Sequence, residues 1–287
     1  MKRHPKCGGL YFDLATVRNC ENAAHGCAGV DIFGQKYFSN DALGLRDFFM
    51  RIYKTIHRRN GDIVLHCHVA YIPFVHSFLD SFAPGENTFS AACRNLFYAY
   101  TEEIPHDIYL SELNWRKAGV PYGIILQLGR ACDLMPALKK YGKEILGNPE
   151  YAIRALTPMA LYDINVWGHY AHRPTLNKFW RIRREIKIEE VTDYYGYWVS
   201  DAVKSPVPNV FCGWYKWEKG KGPYQRVLIV SNFSRKAVKP NIIIDWKKLG
   251  MAPVKTFRDL WNGKDLTEKE LKEFRLNGAH FMMIGIK

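Results

Sequence analysis

One early unit constrains this chain most: an apolar run, an amphipathic helix, then a second apolar run. Residues 9–14, GLYFDL, read as a buried strand. Residues 41–59 carry Leu45, Phe48, Phe49, Ile52, Tyr53 and Ile56 at helical spacing. Ser39, Asn40 or Asp41 can cap that helix, its basic last turn suits the helix dipole, and Asn60-Gly61 ends it. Residues 62–68, DIVLHCH, form the second strand. Two strands joined through a helix pair in parallel.

The alternation continues with a short strand in 77–82, a helix over 89–101 and a strand over 123–129. Helices follow at 133–146 and 149–156, then a strand within 158–168 and a helix around 174–186. Repeated strand–helix units indicate the α/β class with a parallel sheet. Past about residue 190 the runs become strands separated by Gly, Pro and Asn turns: 210–217, 226–234, 239–246, 253–261 and 280–287. The pattern predicts residues 1–200 as an α/β domain and 205–287 as a small antiparallel β-sandwich domain.

With 47% apolar residues among 287, a sizeable core is available. The net charge of +13 admits an anionic partner, but acids interrupt the basic runs in KFWRIRREIKIEE and EKGKGPYQR. Together with the absence of finger or RNP spacing, this favours solvated helix faces over nucleic-acid binding. Seven cysteines argue against a disulfide framework. No uncharged apolar window reaches membrane-spanning length, so no membrane partner is expected. The basic N-terminus lacks a signal-peptide core, so a cytoplasmic location is the default expectation if Met1 is the true start.

The chemistry-bearing residues gather where strands end. Asp13 closes the first strand ahead of a long connection, and such connections are usually functional. That loop holds Asn22 and the spacing Cys20-x4-His25-x-Cys27. The spacing matches no standard zinc finger. The loop therefore reads as packed on its own thiols, or as ligand-binding through Asn22 and His25, with no metal or cofactor expected. His66 and His68 share one face of the second strand and can bind hydroxyls or tune a carboxylate. Asp80 and Glu86 follow a short run, Glu112 lies near Trp115, and Asp163 lies near Trp167. Carboxylates recurring beside aromatics suit glycosidic bond cleavage, in which one ionised and one protonated carboxyl group act together.

GLYFDLATVRNCENAAHGC, SFLDSFAPGE and RVLIVSNFSRKAVKPNIIIDWKKLG resemble the glycoside hydrolase family 123-like domains, a group that includes a bacterial domain family. The resemblance implies a (β/α)8 barrel with its site at the strand C-termini, followed by a β-sandwich. It also implies likeness to α-galactosidase-like barrels, with Asp13 as nucleophile and Asp80 as acid/base. Glu86 and Glu112 are reserves for the acid role. His66, His68, Asn22, His25, Trp115 and Asp163 are expected to bind substrate. Family 123 enzymes use an adjacent Asp-Glu pair, whereas Leu14 follows Asp13 here.

About five parallel strands are legible where a barrel needs eight. The chain thus reads as the C-terminal part of a longer enzyme, its open sheet edges covered by a second copy or a partner chain. A glycoside hydrolase of retaining type, or a remnant of one, is the expected function. A catalytically silent carbohydrate-binding protein is the alternative, and a basic nucleic-acid-binding protein a further one.

Overall fold

The computed structural model describes residues 8–13, 15–59, 64–68, 73–83, 86–113, 123–168, 170–191, 193–218 and 220–287. The chain divides into two compact units, one of residues 1–84 with 115–123, the other of residues 85–114 with 124–287. Among the described residues, no helix is long and apolar enough to cross a membrane.

In the first unit, strand β1 (Gly9–Phe12) pairs in parallel with a later strand, Val64–Cys67. The intervening loop holds β2 (Asn19–Cys20), β3 (Ala28–Val30) and β4 (Lys36–Asn40), in the antiparallel order β2-β4-β3. Helix α1 (Ala42–Arg59) follows, with the bounds its periodicity predicts. Val64–Cys67 is β5, and it also pairs in parallel with β6 (Ser81–Phe82). Alternation then sorts the side chains. Leu10, Phe12, Leu65, Cys67 and Phe82 pack with Phe49, Ile52 and Ile56 of α1. Tyr11, Asp13, His66, His68 and Ser81 occupy the opposite face by the same period of two.

The second unit opens with short helical segments, then β7 (Ile124–Ile125), parallel to β8 (Val166–Trp167). Five parallel strands are therefore described, as sheets of three and two, without a closed barrel among the described residues. Between β7 and β8 lie α2 (Leu128–Leu134) and α3 (Pro149–Leu161); α4 (Arg173–Glu185) follows β8. Helix forms in two stretches that the sequence reading gave as strand. Helix α2 begins inside the run read as strand 123–129, and α3 absorbs PMAL, read as the start of a strand. Residues from Ala155 to Leu161 are all buried, and an apolar run buried all round has no period to tell helix from strand.

The last third forms one six-stranded antiparallel sheet. Its strands are β9 (Asp193–Tyr195), β11 (Val210–Lys216), β12 (Arg226–Asn232), β14 (Thr256–Asp259), β15 (Lys264–Thr267) and β16 (His280–Ile286), ordered β15-β14-β16-β12-β11-β9. Strands β10 (Val203–Lys204) and β13 (Ile243–Ile244) form a separate pair. Every residue of β12 is buried. Val227 and Ile229 join the core around α3 and α4, while Leu228 and Val230 join a second core with Leu249, Phe257 and Leu271. The six-stranded sheet thus packs on α3 and α4 on one face and, on the other, on the second core, to which Val203 of β10 and Ile244 of β13 contribute. The expected boundary near residue 200 falls inside this unit, where one core runs from Leu156 through Tyr215 to Met283.

Candidate functional site

The C-terminal ends of β1 and β5 bring together four polar side chains on the face away from α1. Phe12 pairs with Cys67, so the next residues, Asp13 and His68, emerge side by side. His68 Nδ1–H donates to Asp13 Oδ1 at 2.8 Å, and the Tyr11 hydroxyl donates to the same oxygen at 3.1 Å. The Tyr11 ring stacks on His66 at 5.6 Å and 22°, and His66 Nδ1 shares a hydrogen bond of 2.7 Å with Ser81 Oγ. Burial, and secondarily the charge of His68, hold the His66 imidazole below its ordinary pKa, which favours the neutral ring. The Asp13 side chain is 60% exposed and that of His68 11% exposed, so an enclosed ring holds a solvent-exposed carboxylate. Tyr11 was absent from the sequence-derived site, although its place two residues before Asp13 marks it.

Asp80 is not part of this cluster. It precedes β6, beside Leu65, whose N–H donates to Asp80 Oδ2 at 2.7 Å; His57 Nε2 of α1 lies 3.2 Å from the same oxygen. It shares the parity of Phe82 and so faces α1. Three residues of register separate it from the level of Asp13, about 10 Å along the strands. The expected Asp13–Asp80 pair across a cleft is therefore corrected. The two carboxylates occupy opposite faces and opposite ends of the sheet, and Asp80 holds the strand entry.

The other expected site residues have surroundings of their own. Glu86, in the second unit, pairs with Arg130. Asp163 is fully buried, and its Oδ1 accepts from Arg183 Nη2 at 2.9 Å and from the Tyr215 hydroxyl at 2.8 Å. Its expected contact with substrate is corrected to an internal tie among the α3 terminus, α4 and β11. Asn22 and His25 are exposed in the loop after Asp13. Trp115 lies outside the described residues, as does the side chain of Glu112.

No family model and no curated protein sequence matches the chain. Solved structures do. A maltogenic amylase from S. marinus aligns at TM-score 0.48 and 14% identity, covering 84% of this chain and 34% of its own. A pullulanase from Bacillus acidopullulyticus aligns at 0.48 and 9%, covering 97% and 38%. A pullulanase from Anoxybacillus sp. LM18-11, complexed with maltotriose, aligns at 0.46 and 10%, covering 98% and 43%. These neighbours are amylolytic glycoside hydrolases, and this chain spans less than half of each of the three.

Proposed function

We propose that the polar face of the β1–β5–β6 sheet binds carbohydrate, in a chain of glycoside hydrolase type that lacks hydrolytic power. The observation that carries this reading is the exposed Asp13 carboxylate, fixed by His68 and flanked by the half-exposed Tyr11 ring. A carboxylate accepts hydrogen bonds from sugar hydroxyls, and a flat aromatic ring beside it packs on a sugar's apolar face. Glycosidic cleavage asks for a second carboxyl group about 5–9.5 Å away. Among the described residues of this unit, Asp80, the expected second carboxylate, faces the helix instead, which favours the silent binding reading over the hydrolase. The family 123-like assignment rests on the sequence motifs alone.

The test is calorimetric titration with a saccharide panel that includes maltotriose and maltotetraose, alongside a reducing-sugar assay. Binding that Asp13→Asn and Tyr11→Ala both weaken at least about tenfold, without turnover, supports the reading. Absence of binding across the panel, or binding indifferent to Asp13, overturns it. Turnover that disappears in Asp13→Asn transfers the site to the hydrolase reading.

A further inference from the structure

Residues 18–41, in the loop that follows Asp13, have a closed neck and no buried side chain. Arg18 N–H donates to Asp41 Oδ1 at 2.7 Å, and Asp41 N–H returns to the Arg18 carbonyl at 3.0 Å. Beyond that neck, residues 19–40 hold strands of two to five residues and not one buried side chain. Short strands that bury no apolar side chain are marginal in water, and structures this small are usually held by a disulfide or a metal.

The ligand atoms of Cys20, His25 and Cys27 all lie within 4.8 Å of one another at this point. The backbone brings them there. Cys20 pairs with Ser39 of β4, and Ser39 N–H donates to the Cys27 carbonyl at 2.6 Å, so one residue anchors both cysteines. Asn22 Oδ1 accepts from Ala24 N–H and caps the turn Ala23–His25. Gly26, at φ 68°, then reverses the chain and donates to the Ala23 carbonyl. Cys20 Sγ stands 3.8 Å from His25 Nδ1. Zinc–sulfur and zinc–nitrogen bonds of about 2.3 and 2.0 Å in a tetrahedron place neighbouring donors about 3.5–3.8 Å apart.

We propose that Cys20, His25 and Cys27 bind one divalent transition-metal ion, zinc by the softness of the donors, and that this ion clips the loop that follows Asp13. Three protein ligands leave a fourth position to water or another exchangeable donor. Binding displaces the cysteine protons and leaves the imidazole proton on Nε2, which then needs an acceptor. Asn22 Nδ2 faces that nitrogen at 3.2 Å, so the amide must turn to offer its oxygen. An aspartate at position 22 would accept from both Ala24 N–H and His25 Nε2–H.

The experiment uses the full chain, stripped by chelator and kept reduced, and titrates it with cobalt(II) and then zinc(II). The expected result is one cobalt per chain with a thiolate-to-cobalt charge-transfer band that zinc abolishes. Cys20→Ser, Cys27→Ser and His25→Ala should each weaken zinc by more than the roughly 10–100-fold that outer partners contribute, while Asn22→Asp tightens it. Zinc should also slow proteolysis within residues 31–36 in the wild type and not in the ligand variants, whose far-ultraviolet dichroism reports that the fold persists. A reduced wild type that takes up no cobalt overturns the site. So does a band that survives Cys20→Ser combined with Cys27→Ser.

Discussion

Asp13 and His68 meet at 2.8 Å across 55 residues of sequence, because β1 and β5 end at the same level of one parallel sheet. The imidazole is the more enclosed partner, so it holds the carboxylate rather than the reverse. Asp13→Asn is expected to weaken saccharide binding by about 10–100-fold, the effect of losing charge from a hydrogen-bonded acceptor. His68→Ala, which removes only the positioning, should weaken it about fivefold, and a Gln at 68 should restore part of the loss. Calorimetric titration of the variants checks the order.

Asp80 should behave oppositely. Asp80→Ala leaves the Leu65 N–H without its side-chain acceptor, at an expected cost of about 1–3 kcal/mol in urea unfolding. Saccharide affinity should not change, because the side chain faces α1. A large loss of affinity at unchanged stability would return Asp80 to the site.

The buried pair of Asp163 and Arg183 should dominate the stability of the second unit. Burial opposes the Arg183 charge, but Asp163 and Tyr215 more than compensate and hold its pKa above the ordinary value. Asp163→Asn is expected to destabilise by about 3–5 kcal/mol, since it strands a buried guanidinium. The double variant Asp163→Leu with Arg183→Met should lose less than the single one. Urea midpoints and slopes provide the comparison.

Acid should weaken the fold through two histidines. Burial holds both His66 and His106 below the ordinary imidazole value of 6.5. Between each depressed folded-state pKa and 6.5, the unfolded chain binds a proton that the folded chain does not, so stability rises with pH there. The contribution is complete above 6.5 and is lost as pH falls toward and through the folded values. His66→Gln and His106→Gln should each flatten the fall in the urea midpoint between about pH 7.5 and 5.5.

The sequence by itself determined what depends on local period. Helix α1 emerged with its bounds because its apolar residues recur at helical spacing beside capping residues. The parallel pairing of β1 and β5 followed from the helix between them, and the antiparallel character of the tail from its closely spaced turns. The shared face of His66 and His68 came from the strand period of two, which also marks Tyr11.

Tertiary structure decided what depends on burial and register. PMAL became the end of α3 because neighbours enclose it on every side, and enclosure leaves no stripe to read. Asp163 and Asp80 looked like site residues because a carboxylate near an aromatic is ambiguous in one dimension. Only packing shows that Arg183 neutralises the first and the Leu65 backbone engages the second. Spacing let the loop read as packed on its own thiols, but the meeting of all three ligand atoms of Cys20, His25 and Cys27 depends on β4 returning between the two cysteines and on one left-handed glycine. Period fixes which way a side chain points, and the meeting of distant chain segments fixes what it meets.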